Sequence, residues 1–362
     1  MVCSELLVDD ERTDPAMPTT RAEWEPVVVA PMAAGSAPLA VTALPSGTVA
    51  VVGIVAGMAD AECVAFLQWA LPRLGRRWAG YRKVRRQVCR RVSRRMGELG
   101  LDSFADYRRF LEQDPDEWPR LDAMTNITIS RFYRDRAVYD YVLDDVLPAL
   151  AARARRAGRS TLRVWSAGCA SGEEPYTLRI MWELALAPTV SDVGMEVLAT
   201  DIRPVVLQRA EQARYSPSAM KDLPVPWRDS AFLRDGDELL LLSRFRDGVT
   251  FTVHDIRSGP PDGLFDLVLC RYLSFTYFDD AGQRDTLRTL ARAMHPGGAL
   301  ILGNREDLPP GEPGFCEWAP RLRVFQRCTD GDPPVAGPRT YPTAVPCRGI
   351  RRDRSAASPG EP

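Results

Sequence analysis

The sequence predicts an α/β domain with a small β insertion, preceded by a small all-helical domain. Residues 162–166, 194–200 and 265–269 have strand patterns, the last of them typical of a buried strand, and helical patterns separate them. Such alternation is typical of a doubly wound parallel sheet. Residues 60–125 show helical periodicity alone, whereas residues 215–250 interrupt the alternation with short strand patterns. We therefore expect two domains in this chain of 362 residues.

Domain boundaries follow from composition. The helical domain is assigned to 60–125 and the α/β domain to 126–328. The leader, 1–58, is rich in proline, and the tail, 329–362, is rich in proline, glycine and arginine, so both are predicted to be disordered. The longest uncharged apolar piece, 48–58, is too short to cross about 30 Å of hydrocarbon, and the chain does not open with a signal-peptide pattern. We therefore expect a cytoplasmic protein without a membrane span.

The net charge and the cysteine spacing argue against several classes of function. The net charge is −1, so no global positive field favours nucleic acid. The eight cysteines include no Cys-x-x-Cys pair, and His254 and His295 are the only histidines. Neither a metal site nor a disulfide framework is expected from this spacing. Cys169 lies in the turn described next, where its small size is expected to matter more than its nucleophilic chemistry.

The first strand of the α/β domain ends in a turn of small residues, 167–172, and a helix follows. Gly168 and its neighbours let the backbone approach a ligand closely. Glu173 and Glu174 stand at the helix start, where a phosphate site would present N–H groups and a cation instead. Two carboxylates suit a cationic, hydroxyl-rich ligand, and S-adenosylmethionine (SAM) has this chemistry. An ordinary βα turn is the alternative; dinucleotide binding is less favoured because the Gly-x-Gly-x-x-Gly spacing is absent.

Acidic residues also follow two later strand patterns. Asp201 ends the strand 194–200, and Asp255 follows the strand pattern 249–253. In a doubly wound sheet, an acid at the end of the second strand lies beside the first βα turn and can accept hydrogen bonds from ribose hydroxyls. Asp201 is therefore the principal predicted ligand-binding residue. The patterns at 239–242 and 249–253 together predict a short inserted hairpin.

A strongly basic helix is predicted at 78–99. Its apolar residues recur at spacings of three and four and form one stripe. The other face, over 76–95, carries ten Lys and Arg side chains and no acid. Like charges four residues apart destabilise a helix by roughly a few tenths of a kcal/mol per pair. The face is interpreted either as a solvated surface or as a docking surface for an acidic protein segment or nucleic acid.

Several stretches carry a recognisable pattern. The most specific is Ser-Ala-Gly-Cys-Ala-Ser-Gly-Glu-Glu-Pro-Tyr at 166–176. The others are Arg-Phe-Tyr-Arg-Asp at 131–135, Ala-Thr-Asp-Ile at 199–202, Cys-Arg-Tyr at 270–272 leading to Tyr-Phe-Asp at 277–279, and His-Pro-Gly-Gly at 295–298. In order and spacing they resemble the CheR-type methyltransferases, which methylate glutamate side chains of chemotaxis receptors. The resemblance covers about 60–327.

The resemblance implies a Rossmann-like SAM-dependent methyltransferase domain and methyl transfer to a glutamate carboxylate of a protein. It places Arg134 and Tyr277 nearest the methyl group. We expect Glu174 to pair with the SAM ammonium and Asp201 to hold the ribose. The basic helix 82–95 matches the region that meets the acidic or glutamate-bearing protein substrate. The implied SAM contacts are Thr128, Ser130, Arg134, Glu174, Asp201, Asp255, Ile256, Arg271 and Tyr272.

Departures from the family pattern leave alternatives open. Thr128-Ile129-Ser130 stands where the family has Asn-x-Thr, and Tyr272 where it has Asn. Residues 303–306, Gly-Asn-Arg-Glu, replace Gly-His-Ser-Glu. The chain is thus identified as a divergent member, and a catalytically weak SAM-binding regulatory module is the first alternative. Nucleic-acid methylation, suggested by the basic helix, is the weaker alternative because an Asn/Asp-Pro-Pro-aromatic site is absent.

Overall fold

The structure, a computed structural model, describes a large central part of the chain. The described residues are 42–43, 49–50 and 52–328. The predicted tail, 329–362, and most of the predicted leader, 1–58, lie outside them. Among the residues described, no helix has both the length and the apolar content that crossing a membrane requires.

The chain divides into two units, 1–62 and 63–362. In the first unit, β1 (Thr42–Ala43) pairs antiparallel with β2 (Val49–Ala50). Helix α1 (Val52–Arg73) begins in this unit, inside the stretch predicted to be leader. The helical structure therefore starts earlier than the predicted boundary at residue 60.

The helical domain contains four further helices. They are α2 (Trp78–Tyr81), α3 (Arg85–Glu98), α4 (Phe104–Gln113) and α5 (Glu117–Thr125). The Ser103 hydroxyl caps α4 by accepting a hydrogen bond from Asp106 N at 3.1 Å. The prediction of one helix over 78–99 is wrong at 82–84, where the chain leaves the helical path. This break lets α2 lie against the α/β domain, as described below.

The apolar stripe predicted for the basic helix faces the core. Val88, Val92 and Met96 are buried in one cluster with Leu67 of α1 and Tyr107 of α4. Burial of each such aliphatic side chain contributes about 1.5–3 kcal/mol relative to exposure. These apolar residues therefore pack α3 against its neighbours, and the basic face of α3 points away from this core.

Two disulfides contradict the expectation from cysteine spacing. Cys63 of α1 bonds to Cys89 of α3, and Cys316 bonds to Cys328. Both pairs are formed by the packing of neighbouring elements, which brings their Cα atoms to 6.0 and 5.9 Å. Spacing along the chain does not reveal such contacts, so the prediction failed.

The α/β domain alternates strands and helices as predicted. Its strands are β3 (Thr161–Ala167), β4 (Gly194–Asp201), β5 (Arg214–Tyr215), β6 (Phe232–Asp235), β7 (Glu238–Leu241), β8 (Val249–Val253), β9 (Phe265–Cys270), β10 (Met294–Leu302), β11 (Phe315–Ala319) and β12 (Val324–Arg327). Its α-helices are α6 (Arg136–Tyr141), α7 (Leu147–Arg156), α8 (Glu173–Met181), α9 (Pro204–Gln212), α10 (Val225–Ala231), α11 (Ser274–Tyr277) and α12 (Asp280–Ala293). Short π-helical turns over 142–146 and 182–186 extend α6 and α8.

The main sheet has seven strands in the order β11-β12-β10-β9-β3-β4-β8. The strands from β10 to β8 run parallel, while β11 and β12 pair antiparallel at one edge. Strand β3 is central, and the chain passes from it to β4 on one side and later to β9 on the other. This arrangement opens a crevice at the carboxyl ends of β3, β4 and β9, where ligands bind in such sheets.

The β insertion is a separate three-stranded antiparallel sheet in the order β5-β7-β6. The sequence predicts an insertion here, but the strands that form it differ from the predicted ones. The predicted strand 239–242 corresponds to β7, whose partners are β5 and β6. Residues 249–253 instead form β8, which pairs parallel with β4 at the edge of the main sheet.

Candidate active site

A cleft of about 570 Å³ opens at the carboxyl ends of β3, β4 and β9. Residues 76–84 of the helical domain and the segment 125–134 contribute to its walls. Every residue predicted to bind the cofactor or to act near the methyl group lines this cleft. They are Thr128, Ser130, Arg134, Gly168, Glu174, Asp201, Asp255, Ile256, Arg271, Tyr272 and Tyr277.

The turn after β3 brings bare backbone to the cleft. Gly168 adopts φ +76°, and its N–H donates to Thr200 O of β4 at 2.8 Å. A Cβ atom at this position would lie 2.9 Å from Leu273 Cδ2, so a larger residue would displace Leu273. Gly168 therefore packs closely against Leu273 and Thr200 and leaves this position of the cleft without a side chain.

Glu174 lines the cleft, whereas its neighbour Glu173 does not. Glu174 Oε1 accepts a hydrogen bond from Ser166 Oγ at 2.7 Å, and Oε2 lies 3.3 Å from Arg271 Nη1. Burial raises the pKa of Glu174, although the charge of Arg271 opposes this shift. A cationic ligand at Glu174 would therefore share this carboxylate with Arg271, a pairing that the sequence did not reveal.

Arg271 connects the end of β9 to the segment that carries Arg134. Its guanidinium donates to Tyr139 Oη at 3.1 Å, to Arg134 O at 2.9 Å and to Asp135 Oδ2 at 2.6 Å. Only 3% of the Arg271 side chain is exposed. These partners and Glu174 compensate its burial. Arg271 therefore holds the carbonyl of Arg134 and the side chain of Asp135 in place.

Asp201 lies beside the β3 turn, as predicted for an acid at the end of the second strand. Its Oδ2 accepts from Ala170 N at 3.1 Å, and its Oδ1 accepts from Arg203 N at 3.0 Å. Arg203 Nε is 3.5 Å from Oδ1. Asp201 thus orders the turn while presenting negative charge to the cleft.

Asp255 belongs to a charged cluster that joins the two domains. Arg257 bridges Asp255, at 2.8 Å, to Asp122 of α5, at 2.9 Å. Asp122 also accepts from Arg76 Nη2 at 2.9 Å. Burial alone raises the pKa of Asp255, but the hydrogen bonds and charge of Arg257 outweigh it and hold the pKa below its ordinary value. Asp122 and Arg257 were not predicted to lie near the cleft, because their contact spans two domains.

Arg134 enters the cleft between two residues with left-handed backbone conformations. Tyr133 has φ +56° and Asp135 has φ +64°, which is costly for side-chain-bearing residues and is typically retained at functional sites. Arg134 Nη1 donates to Ile129 O at 2.6 Å. Its guanidinium carbon lies 3.8 Å from the centre of the Tyr272 ring. Within the described part of the chain, no carboxylate forms an ion pair with Arg134.

Tyr277 is held by the helical domain. Arg77 N donates to Tyr277 O at 2.9 Å, and Arg77 Nε donates to Thr276 O at 3.0 Å. The Tyr277 ring packs on Tyr81 of α2, and burial raises the pKa of Tyr277 to about 12. The sequence predicts that Arg77 lies on the basic face. Its actual role is to hold helix α11 against α2.

The basic face is smaller than predicted because acids of α5 compensate part of it. Arg76 pairs with Asp122, and Arg95 donates to Glu117 from Nε and Nη2, each at 2.9 Å. Arg91 Nη1 donates to two backbone oxygens near the end of α5. The sequence has no acid over 76–95, but in the folded domain Asp122 and Glu117 of α5 pair with part of the basic face. Five exposed cations, called the basic stripe below, make no ion pair with any described residue; they are Arg82, Lys83, Arg86, Arg90 and Arg94.

Thr128 carries a buried hydroxyl oxygen for which the described residues supply no hydrogen-bond partner. Because such a group is costly when unsatisfied, it is a fitting contact for a polar ligand in the cleft.

Cys169 is buried, and burial raises its pKa well above its ordinary value, so it is a poor nucleophile. Among the described residues, no group of His, Cys, Asp and Glu side chains is arranged to hold a metal ion.

The chain is similar to known proteins across both domains. Residues 83–125 match the family described as CheR methyltransferase, all-alpha domain, and residues 128–320 match CheR methyltransferase, SAM binding domain. It is 32% identical over 206 residues to a chemotaxis protein methyltransferase of Listeria monocytogenes, covering 57% of this chain and 75% of that protein. It is 32% identical over 231 residues to a chemotaxis protein methyltransferase of Salmonella typhimurium, covering 62% and 76%. Over 270 residues it is 32% identical to an uncharacterised 104.1 kDa protein of Rhodobacter capsulatus, covering 74% of this chain and 28% of that protein.

Proposed function

Because the chain belongs to the CheR methyltransferase family, we propose that it is a SAM-dependent protein-glutamate O-methyltransferase whose reaction takes place around Arg134. The charge distribution of the cleft carries this proposal. Arg134 is a cation without a carboxylate partner among the described residues, and it shares the cleft with Glu174 and Asp201. Such a site can hold a cationic cofactor and an anionic acceptor side by side.

The residues of the cleft fit SAM. The carboxylates of Glu174, Asp201 and Asp255 suit an ammonium group and ribose hydroxyls, and the unpartnered Thr128 hydroxyl suits a further polar contact. When bound, SAM supplies an electrophilic methyl group on its sulfonium. We assign Asp201 to the ribose and Glu174 to the ammonium, with Gly168 leaving room for the ligand beside the β3 turn.

Arg134 holds the acceptor carboxylate. The Tyr272 ring covers one face of its guanidinium, and Ile129 O accepts from one Nη1 hydrogen. The remaining N–H groups can donate two parallel hydrogen bonds to a carboxylate. A glutamate acceptor is already ionised at neutral pH, so no general base is required. Positioning and exclusion of water supply the rate enhancement.

Tyr277 limits the direction from which the acceptor approaches. With a pKa of about 12, its hydroxyl stays protonated and remains a hydrogen-bond donor at neutral pH. Its ring is fixed between the α/β domain and Tyr81. We therefore assign Tyr277 to fixing the acceptor oxygen beside the methyl group.

The basic stripe provides the docking surface for the protein substrate. Arg86, Arg90 and Arg94 recur at four-residue spacing along α3, and Arg82 and Lys83 continue the stripe to the cleft. An acidic segment bound along the stripe would deliver a glutamate to Arg134. Attraction of this kind raises association rates and weakens with salt.

Base-labile methylation tests the reaction. The protein is incubated with methyl-labelled SAM and host lysate, and the labelled material is treated with mild base. Release of the label as methanol from protein indicates a carboxyl methyl ester, the expected result. Label in nucleic acid, base-resistant label on protein, or SAM binding without turnover would each overturn the proposal.

Arg134 variants test the site. Since a small misplacement of reacting groups costs about a hundredfold, Arg134→Ala should lower the transfer rate by about that factor. Arg134→Lys keeps the positive charge but lacks the planar guanidinium that binds a carboxylate through two N–H groups, so we expect an intermediate loss of transfer rate. SAM affinity, measured by calorimetry, should change much less. Equal losses of affinity and transfer would show that Arg134 binds only the cofactor.

A further inference from the structure

Tyr272 adopts a left-handed backbone conformation, with φ +55°. This conformation is accessible to Asn and costly for a bulky residue. Tyr272 stands where the family pattern has Asn, so its side-chain contacts must compensate a conformation that Asn would adopt more easily. Its N–H donates to Glu306 Oε2 at 2.7 Å, which fixes the backbone here.

The Tyr272 ring fills the space between Arg134 and Gly303. The guanidinium carbon of Arg134 lies 3.8 Å from the ring centre, the arrangement of a cation on an aromatic face. A Cβ atom on Gly303 would lie 2.7 Å from Tyr272 Cε1, so the ring fits closely against this glycine. An Asn side chain at 272 would offer no aromatic face to Arg134.

The Tyr272 hydroxyl joins a second departure from the family pattern. It contacts Asp135 Oδ2 and lies 2.8 Å from Asn304 Oδ1, while Asn304 Nδ2 donates to Asp135 Oδ1 at 3.2 Å. Asn304 stands where the family has His. Burial, reinforced by Asp135, raises the pKa of Tyr272 to about 12, so the hydroxyl remains a donor at neutral pH. The two unusual residues therefore share one hydrogen-bonded network next to Arg134.

From these contacts we propose that Tyr272 is a positioning residue for Arg134 and that Asn304 holds the Tyr272 ring in place. Tyr272 and Asn304 then act together to keep the Arg134 guanidinium in place. This inference rests on the proposed role of Arg134 in holding the acceptor carboxylate. The contact between Tyr272 and Arg134 can be tested without that role.

Chemical modification of Arg134 provides this test. Protein without SAM is treated with phenylglyoxal, and the modification rate of Arg134 is measured by mass spectrometry relative to the exposed Arg156. Tyr272→Leu, which removes the ring, should raise the Arg134 rate by roughly threefold to thirtyfold, the range expected for loss of a cation–π contact. Tyr272→Phe and Asn304→Ala should each raise it less, and the double variant should match the larger single effect. The proposal would be overturned if Tyr272→Leu left the modification rate of Arg134 unchanged. It would also be overturned if the effect of the double variant equalled the product of the two single effects.

Methyl transfer then tests the consequence. Tyr272→Leu should lower kcat/KM by about tenfold in the wild-type background and by less than about twofold when combined with Arg134→Lys, because the ring acts through Arg134. Equal losses in both backgrounds would overturn the proposal. Tyr107→Phe, which removes a phenol hydroxyl inside the helical domain, is the control and should leave kcat/KM unchanged. If the wild type transfers no methyl group, the proposed function fails, while the modification assay still decides whether Tyr272 holds Arg134.

Discussion

The rings of Tyr81 in the helical domain and Tyr277 in the α/β domain lie 4.9 Å apart, with their planes at 51°. Tyr277 is the residue proposed to fix the acceptor oxygen, and Tyr81 is almost fully buried behind it. Arg77 strengthens this contact through hydrogen bonds to Tyr277 O and Thr276 O. The helical domain therefore forms part of the wall of the cleft in addition to carrying the basic stripe.

Substitution of Tyr81 should separate the contribution of its ring from that of its hydroxyl. Tyr81→Leu removes the ring that supports Tyr277, and we expect the single-turnover rate of methyl transfer to fall by about tenfold. Tyr81→Phe keeps the ring and should stay within about twofold of the wild type. SAM affinity should be little changed in both, as measured by calorimetry on protein shown to be folded by circular dichroism. Equal losses in the two variants would contradict the role of the ring.

Asp201 should control cofactor affinity more strongly than any surface acid. Asp201→Ala leaves Ala170 N and Arg203 N without their acceptor and removes the charge assigned to the ribose. Since hydrogen bonds to charged groups contribute about 1.5–3 kcal/mol, we expect SAM affinity to fall by roughly ten- to a hundredfold. Asp192→Ala removes only an exposed pair with Arg155 and serves as the control. Unchanged affinity in Asp201→Ala by calorimetry would refute the assignment.

The sequence predicted the position of the cleft because parallel strands gather their carboxyl ends at one edge of a sheet. The small-residue turn after β3 and Asp201 after β4 are local features whose positions follow from that rule. Residues far apart, such as Arg134 and Tyr277, were placed through the family resemblance. The family, the two-domain fold and the cofactor were thereby predicted correctly.

Contacts between elements that lie far apart in the sequence could not be predicted in the same way. Asp122 bridges Arg76 and Arg257, and Cys63 bonds to Cys89, yet none of these side chains belongs to a local motif. The basic face was overestimated for the same reason, because its compensating acids lie on another helix. Local charge counts describe an isolated helix, whereas the packing of α5 on α3 decides which cations remain available.

Charge reversal along the basic stripe should weaken substrate capture and leave cofactor binding intact. In the triple variant Arg86→Glu, Arg90→Glu and Arg94→Glu, KM for the acceptor protein should rise by at least about tenfold at low salt, because the stripe then repels an acidic segment. Raising the salt should reduce the difference from the wild type. Arg156→Glu, at an exposed position of α7, is the control. An unchanged KM with the triple variant would show that the acceptor docks elsewhere.

Substitutions at Gly80 and Gly97 test the close contact between the domains, with Gly97 as the control position. A Cβ atom at Gly80 would lie 2.2 Å from Thr276 O, whereas a Cβ atom at Gly97 would meet nothing within 4 Å. Gly80→Ala should therefore destabilise the protein by about 1–3 kcal/mol and slow methyl transfer, since α2 must move from Tyr277. Gly97→Ala lies within α3 and should stabilise it by about 0.5–1 kcal/mol. Urea unfolding measures both effects; a Gly80→Ala variant as stable as the wild type would contradict the close packing.

Glu117 should make the stability of the helical domain depend on pH in the acidic range. Its buried carboxylate accepts from Arg95, Arg120 and Tyr107. The hydrogen bonds from Arg95, against the opposing effect of burial, lower the pKa of Glu117 from 4.5 to about 2. Because the folded-state pKa lies below the unfolded value, the stabilisation is fully present above pH 4.5 and is lost as the pH falls towards 2, and it amounts to at most about 3 kcal/mol.

Glu117→Gln removes this titration. The free energy of unfolding of the wild type should therefore exceed that of the variant most at pH 7, and the difference should shrink as the pH falls from 4.5 towards 2. Urea unfolding followed by circular dichroism at a series of pH values measures this difference. Acids whose pKa is raised by burial, such as Glu174 and Glu306, titrate in both proteins and cancel in the comparison. A difference that stays constant over this range would show that the Glu117 carboxylate is not stabilised by its arginine partners.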